Sequence, residues 1–214
     1  KSYLLRGKAV LSIPNPIDTK VYHPMDQGMA RELLGLPSGK RLLLFGALNV
    51  TDKRKGIDYL IEALRRMEKQ DVELVVFGQV KDDIRGLFPV PIHSMGYLSD
   101  ESKIVALYNA VDMFITSSLE ENLPNTIMES MACGTPCVGF EIGGIPEMID
   151  HRVNGYVANY KDAGDLANGI QWVLEHEDRL ALSDACVKKV QENYTEEVVA
   201  KQYTALYEKL LKGE

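Results

Sequence analysis

Two short apolar runs decide the fold: residues 42–45 read Leu-Leu-Leu-Phe, and residues 74–77 read Leu-Val-Val-Phe. Neither run alternates with polar residues, so the strands they form need cover on both faces, as in a parallel sheet. Amphipathic stretches lie between such runs; Ile57, Leu60 and Leu64, for example, share one face of a helix. Because strands and helices alternate, the sequence predicts a doubly wound, Rossmann-like α/β fold with helices on both faces of a parallel sheet.

Other apolar runs continue this pattern along the chain. We predict strands at residues 9–13, 41–45, 72–77, 91–95, 113–116, 136–140 and 156–158. We interpret residues 1–214 as one domain with two special ends. Residues 1–24, with their closely spaced prolines, are interpreted as a linker from a missing N-terminal domain, and residues 195–214 as a C-terminal helix.

Composition limits the possible functions. The chain has 214 residues, 45% of them hydrophobic, and a net charge of −7. This acidic balance disfavours binding to nucleic acid or anionic lipid through overall charge. No apolar run reaches the roughly 20 residues of a membrane span. A peripheral membrane association through the missing domain is compatible with this composition. Three cysteines, an odd number, favour reduced thiols and a cytoplasmic protein.

Loops that follow strands should carry the chemistry, because ligands of doubly wound sheets bind beyond the carboxyl ends of the strands. The loop after Phe45 contains Lys53, Arg54 and Lys55 just before a helix, which suits either an anion site or a solvated run of charge. A second loop, residues 96–98, reads Gly-Tyr-Leu. Its glycine lets the backbone approach a flat ligand, and its tyrosine suits either stacking or partial burial.

The most informative loop starts at residue 117 and leads into a helix with Pro124 at its first position. Glu121 lies in the loop, and Glu129 lies eight residues later, about a turn and a half into the helix. Two carboxylates so placed can accept hydrogen bonds from hydroxyls at two points of an extended ligand. Alternatively, Glu129 forms a salt bridge to Lys55 or Arg54, or is simply solvated.

The stretch from Glu121 to Glu129, followed by Ser-Met-Ala-Cys-Gly-Thr-Pro, resembles the E-x7-E signature of retaining GT-B glycosyltransferases of the group 1 type (family four). Other blocks match the family's motifs in the same order along the chain. They are Ile-Pro-Asn-Pro-Ile-Asp at 13–18, Lys-Gly at 55–56, Met-Gly-Tyr at 95–97, Gly-Gly-Ile-Pro-Glu at 143–147 and Asn-Gly-Tyr at 154–156.

The resemblance implies the donor-binding, C-terminal half of such an enzyme. The family's enzymes transfer a sugar from a nucleotide-diphosphate-sugar, here expected to be a hexose-type sugar passed to a glycan or lipid-linked acceptor in polysaccharide biosynthesis. The missing N-terminal domain would bind the acceptor, so this half alone is expected to be inactive. The resemblance also implies that no metal or other cofactor is required.

The resemblance also assigns roles to individual residues. Lys55 would contact the donor diphosphate, with Arg54 supplying the charge of an arginine that the family has where this chain has Ala47. Gly96, Tyr97 and Leu98 would hold the base, and Glu129 would bind the ribose. Catalytic Glu121, with the backbone N–H groups of Asn122 and Leu123, would hold the transferred sugar and the diphosphate.

Two alternatives remain beside this interpretation. The chain could be a stand-alone nucleotide-sugar-binding subunit that needs a separate catalytic chain. A nicotinamide-binding domain is the other, but no G-x-G-x-x-G follows any predicted strand. The four histidines are scattered along the sequence, which disfavours a metal site.

Overall fold

The computed structural model describes residues 10–49, 52–67, 71–79 and 86–212, and these residues form a parallel sheet covered by helices on both faces. This confirms the predicted doubly wound, Rossmann-like fold. The strands are β1 (Arg41–Asn49), β2 (Val72–Gln79), β3 (Ile92–Gly96), β4 (Met113–Thr116), β5 (Cys137–Phe140) and β6 (Gly155–Ala158).

Strand order places a crevice at the centre of the sheet. The order is β3-β2-β1-β4-β5-β6, and every neighbouring pair is parallel. The chain therefore winds outward from β1 toward β3 in its first half, and outward from β4 toward β6 in its second. β1 and β4 are neighbours at the point where this direction reverses, and ligands of such sheets bind there.

Alternate side chains of β1 explain why its sequence is apolar throughout. Leu43 and Phe45 pack in one core with the helices on one face, whereas Leu42 and Leu44 pack in the core on the opposite face. All four are at most 2% exposed. A strand buried on both faces cannot alternate with polar residues, which is the pattern that predicted a parallel sheet.

The helices pack on the two faces in separate groups. They are α1 (Gln27–Leu34), α2 (Ile57–Arg66), α3 (Glu101–Ala110), α4 (Asn125–Ala132), α5 (Ile145–Met148), α6 (Ala163–Leu174), α7 (Arg179–Asn193) and α8 (Glu196–Leu211), with a 3-10 turn at Lys53–Lys55. Helices α2 and α6 cover the face of Leu43, and α1, α3, α4 and α7 cover the face of Leu42.

The predicted strand at residues 9–13 is wrong for residues 10–13, which form no strand; residue 9 lies outside the described residues. Val10 and Leu11 are 68% and 65% exposed. An apolar run forms a strand only where a neighbouring strand supplies hydrogen-bond partners, and this run lies beside none. The segment touches the fold at Ile17, which forms a single parallel bridge with Thr195 just before α8.

Candidate functional site

An open cleft of about 410 Å³ lies at the carboxyl ends of β1 and β4. The loops after these two strands form its walls, as expected at the point where the strand order reverses. Its lining combines charged, hydroxyl and aromatic side chains: Gly46, Lys55, Phe77, Phe114, Thr116, Ser118, Glu121, Leu123, Pro124, Asn125 and Thr126.

The loop after β1 is locked to the loop after β4. Gly56 has a φ of 60°, and a Cβ there would overlap the carbonyl oxygen of Ser117, so only glycine fits. The Ser117 hydroxyl donates to the Lys55 carbonyl at 2.9 Å, and the Leu119 N–H donates to the Arg54 carbonyl at 2.6 Å. These contacts fix the backbone of Lys55 beside the cleft.

Lys55 and Glu121 form an ion pair across the cleft, with Nζ 2.5 Å from Oε1. The side chains are 33% and 15% exposed, so the pair is partly shielded from water. An ammonium has three donors and a carboxylate about four acceptor positions, and this contact uses one of each. Both groups therefore keep capacity to bind a ligand that carries an anion and hydroxyls.

The N-terminus of α4 adds positive potential to the same cleft. Pro124 is the N-cap and not the first helical residue that the sequence predicted, because its ψ of 119° is extended. Proline has no side-chain oxygen, so no side chain caps the helix, and Asn125 and Thr126 of the first turn line the cleft. Open N–H groups and the helix dipole favour an anion there.

The backbone between Glu121 and Pro124 is fixed from behind by two glycines. The Gly144 N–H donates to the Asn122 carbonyl at 2.6 Å, and a Cβ on Gly143 would overlap the Glu121 carbonyl. In the described part of the chain, the N–H groups of Asn122 and Leu123 donate to no protein acceptor. These N–H groups are available to a ligand.

Arg54 lies outside the cleft. Its guanidinium pairs with Asp52 two residues earlier, with Nη2 2.7 Å from Oδ2, and its side chain is 68% exposed. The hydrogen bonds from the Arg54 side chain and backbone hold the pKa of Asp52 below its ordinary value. In this structure, Lys55 is therefore the member of the cationic run that the fold brings to Glu121.

Glu129 lies in the second turn of α4, one turn beyond the residues of that helix that line the cleft, and is half-buried. The Tyr108 hydroxyl donates to its Oε2 at 2.8 Å. Burial, with a smaller effect from the charge of Glu101, raises the pKa of Glu129, and the Tyr108 hydrogen bond opposes that rise. Neither Lys55 nor Arg54, the two partners considered from the sequence, pairs with Glu129, because they pair with Glu121 and Asp52.

Gly96, Tyr97 and Leu98 lie at the end of β3, on the same edge of the sheet but outside the cleft lining. Two strand spacings of about 4.8 Å separate β3 from β1, so the loop is roughly 10 Å from the β1 side of the site. Gly96 has a φ of 65°, Tyr97 is 67% exposed, and Leu98 packs against the core. This arrangement suits contact with the far end of an extended ligand.

Several residues of the site were missed by sequence reasoning. Asn125 and Thr126 line the cleft, and the Asn15 amide donates to Asn125 Oδ1 at 3.3 Å from the N-terminal segment. Asn125 and Thr126 could have been predicted, because they begin a helix that has no side-chain cap and follows a central strand. Tyr108 gave no signal, because a tyrosine on the inward face of a helix is the ordinary pattern of a core residue.

A doubly wound sheet with a cleft where its strand order reverses is typical of α/β domains that bind ligands at this edge. The model of the family described as glycosyl transferases group 1 matches residues 39–176, and the chain belongs to that family.

Similar proteins share both sequence and architecture with the chain. N-acetyl-alpha-D-glucosaminyl L-malate synthase of Bacillus anthracis is 24% identical over 97% of this chain and 56% of its own length. Sucrose-phosphate synthase from Thermosynechococcus elongatus matches 99% of this chain and 56% of its own, with a TM-score of 0.80 and 25% identity. HepE from Anabaena in complex with UDP-glucose matches 92% of this chain and 56% of its own, with a TM-score of 0.77 and 22% identity.

The chain spans about half the length of the curated relatives it matches. The described helices include none with the length and apolarity that crossing a bilayer requires. Among the residues with described positions, no three His, Cys, Asp or Glu side chains cluster in a way that could hold a metal ion.

Proposed function

We propose that this chain is the donor-binding half of a retaining glycosyltransferase and that its cleft binds a nucleotide-diphosphate-sugar. The observation that carries the proposal is the contact between Lys55 and Glu121 beside the open N-terminus of α4. A cation and free N–H groups suit a diphosphate, and a carboxylate at the same point suits sugar hydroxyls. HepE, which shares the fold, binds UDP-glucose, and this supports the same ligand class here.

The ligand would extend along the carboxyl edge of the sheet. We place the diphosphate against Lys55 and the N–H groups of Asn122 and Leu123. Glu121 accepts hydrogen bonds from the sugar, Glu129 accepts them from the ribose, and the base lies over residues 96–98. Spacing along the edge supports this order, since β3 is roughly 10 Å from β1.

The chemistry required of this half is stabilisation of a leaving diphosphate. As the sugar leaves, negative charge grows on the diphosphate, and a fixed ammonium and helix N-terminus stabilise that charge without rearranging. Lys55 and α4 are positioned for this role, so we propose a transferase that needs no metal ion. The substrate would be a hexose-type donor, and the acceptor a glycan or lipid-linked sugar of polysaccharide biosynthesis.

A second domain would complete the enzyme. An exposed apolar surface on α8 supports this: Tyr203, Tyr207, Leu210 and Leu211 are all at least 41% exposed. Large apolar side chains grouped on one helix usually mark a contact surface. We propose that an N-terminal, acceptor-binding domain covers this surface, and that any peripheral membrane contact of a cytoplasmic enzyme belongs to that domain.

Calorimetric titration of the chain with UDP, GDP, ADP and their hexose derivatives tests the proposal. We expect one nucleotide sugar to bind more tightly than its own diphosphate. Glu121→Ala should remove that difference, while affinity for the diphosphate is kept or rises because Lys55 loses its competing partner. Glu120→Ala, an exposed neighbour, is the matched control. Absence of binding by all three series, or an unchanged difference in Glu121→Ala, would overturn the assignment.

A further inference from the structure

We propose that Tyr108 is a positioning residue for the donor site: its hydroxyl holds the Glu129 carboxylate ionised and oriented for the ribose hydroxyls. This inference rests on the proposed function, since it deepens the role given there to Glu129. The carrying observation is a buried hydroxyl that donates to Oε2 of Glu129 at 2.8 Å.

The ring of Tyr108 cannot turn away from Glu129. It is 1% exposed and packs edge-on against Phe77 and Phe114, with centroid distances of 6.4 and 6.0 Å. Its own carbonyl accepts a hydrogen bond from the Thr135 hydroxyl at 2.8 Å, which fixes this turn of α3. Phe77 and Phe114 also line the cleft, so the same aromatic group supports Tyr108 and faces the ligand.

The hydrogen bond leaves most of the carboxylate available. A tyrosine has one O–H donor, so it occupies one of about four acceptor positions of Glu129. Burial and the charge of Glu129 raise the pKa of Tyr108 well above its ordinary value, and the phenol therefore stays protonated at neutral pH. Oε1 and the second lone pair of Oε2 remain for the two vicinal hydroxyls of a ribose.

The hydroxyl of Tyr108 also counteracts the groups that raise the pKa of Glu129. Burial and Glu101 raise the pKa of this carboxyl. Tyr22 and Cys133, the other titratable groups beside it, are neutral at pH 7, and burial raises their pKa values further, to about 12. Only the hydrogen bond from Tyr108 lowers the pKa of Glu129 among the described groups that affect it. Loss of the hydroxyl should therefore favour the protonated acid, which accepts from ribose more weakly.

A structural explanation competes with this one: Glu129 would merely satisfy a buried phenol. The two explanations differ in whether removing the hydroxyl changes discrimination between ribose and deoxyribose. Tyr108→Phe keeps the ring packing and removes only the O–H. Tyr156→Phe is the matched control: Tyr156 is 5% exposed, donates to the Asp165 carboxylate at 2.9 Å, and packs in the core on the face of the sheet opposite to Tyr108.

The experiment takes whichever of UDP, GDP and ADP wild type binds most tightly and compares it with its 2′-deoxy form by calorimetry across pH 5 to 8. We expect wild type to prefer the ribo form by roughly tenfold, and Tyr108→Phe to lose about three- to tenfold of that preference, the range for one hydrogen bond. Tyr156→Phe should keep it. As pH falls, the preference of Tyr108→Phe should decline at a higher pH than that of wild type, because its Glu129 protonates earlier. The diphosphate titrates equally in both ligands, so its effect cancels in the ratio.

The outcomes separate this inference from the proposed function. A wild type that binds none of UDP, GDP and ADP overturns both. A wild type that binds the ribo and 2′-deoxy forms equally overturns the ribose role of Glu129 and with it the role of Tyr108, and leaves diphosphate binding standing. If Glu129→Ala removes the wild-type preference but Tyr108→Phe retains it, the donor site stands and the role of Tyr108 is overturned. An equal loss in Tyr156→Phe also overturns it, because the effect would then follow from a general loss of stability.

Discussion

The two ends of the sheet use buried carboxylates in opposite ways. At the amino ends of the strands, the side chain of Asp112 is 2% exposed and accepts four hydrogen bonds, from the side chains of Arg31, Arg41 and Arg179 and from the Leu42 N–H. At the carboxyl ends, Glu121 and Glu129 have one described side-chain partner each. A carboxylate offers about four acceptor positions, so Asp112 is saturated, whereas the other two keep capacity for a ligand.

A structural acid and a ligand-binding acid can be distinguished by this contrast. Burial and a charged partner are common to both ends and do not separate them. The number of free acceptor positions separates the two ends, because a saturated carboxylate cannot bind a ligand without losing a protein contact.

Replacing Asp112 should cost the most stability. Asp112→Asn leaves Arg31, whose side chain is 6% exposed, without its buried counter-charge, and we expect a loss of about 3–5 kcal/mol in the free energy of unfolding. Urea denaturation measures it. The control is Asp71→Asn, whose partner Lys40 is at the surface and whose own side chain is 71% exposed; its loss should stay below about 1 kcal/mol. Equal losses would mean that saturation is unimportant.

Replacing Lys55 should weaken the ligand and leave the fold intact. Lys55→Ala should lower affinity for a nucleoside diphosphate by about 1.5–3 kcal/mol and affect a bare nucleoside much less, because the lost contact is to a charged group. Calorimetry with both ligands measures the difference. Lys53→Ala, an exposed cation of the same turn, should bind like wild type. If nucleoside and diphosphate lose affinity equally, Lys55 only supports the fold.

Replacing Gly143 should disturb the loop that carries Glu121. Gly143→Ala meets both a φ of 57° and an overlap with the Glu121 carbonyl, and should cost about 1–3 kcal/mol in stability and remove the extra affinity for the sugar. Gly35→Ala, with a φ of 65° but open space around the new methyl group, isolates the backbone strain. Retained sugar affinity in Gly143→Ala would show that the loop adapts.

Neutralising Glu129 should have the smallest effect on stability and the opposite sign to Asp112. Because burial raises the folded-state pKa of Glu129, its ionisation destabilises the fold as pH rises from the unfolded pKa, near 4.3, through the raised folded pKa. Glu129→Gln lacks this penalty and can still accept from Tyr108. Its melting temperature should match wild type at pH 4 and slightly exceed it at pH 7, while preference for ribose is lost. A lower melting temperature at pH 7 would class Glu129 with Asp112.

Sequence reasoning predicted the sheet well because its evidence is local. The runs at residues 42–45 and 74–77 are apolar for the reason the structure shows, namely burial on both faces. The same reasoning failed at residues 10–13, since an apolar run does not reveal whether a neighbouring strand exists. Pairing between strands is a long-range property.

The site was predicted in part for the same reason. Strand-to-helix loops can be located from the alternation of elements, and this placed Lys55 and Glu121 at one edge before their contact was known. Arg54 illustrates the limit: it adjoins Lys55 in sequence but pairs with Asp52 outside the cleft. The contacts of Tyr108 and Asp112 involve side chains from distant segments, and no local sequence pattern predicts them.

The ion pair between Lys55 and Glu121 also has a kinetic consequence. With its cation already matched by a carboxylate, the cleft exerts little long-range attraction on anions, and the whole chain carries a net charge of −7. A dianionic nucleotide therefore approaches a protein of its own sign without electrostatic steering. Added salt screens that repulsion, so the encounter rate should rise with ionic strength, whereas proteins that capture phosphates with unmatched cations show the reverse dependence.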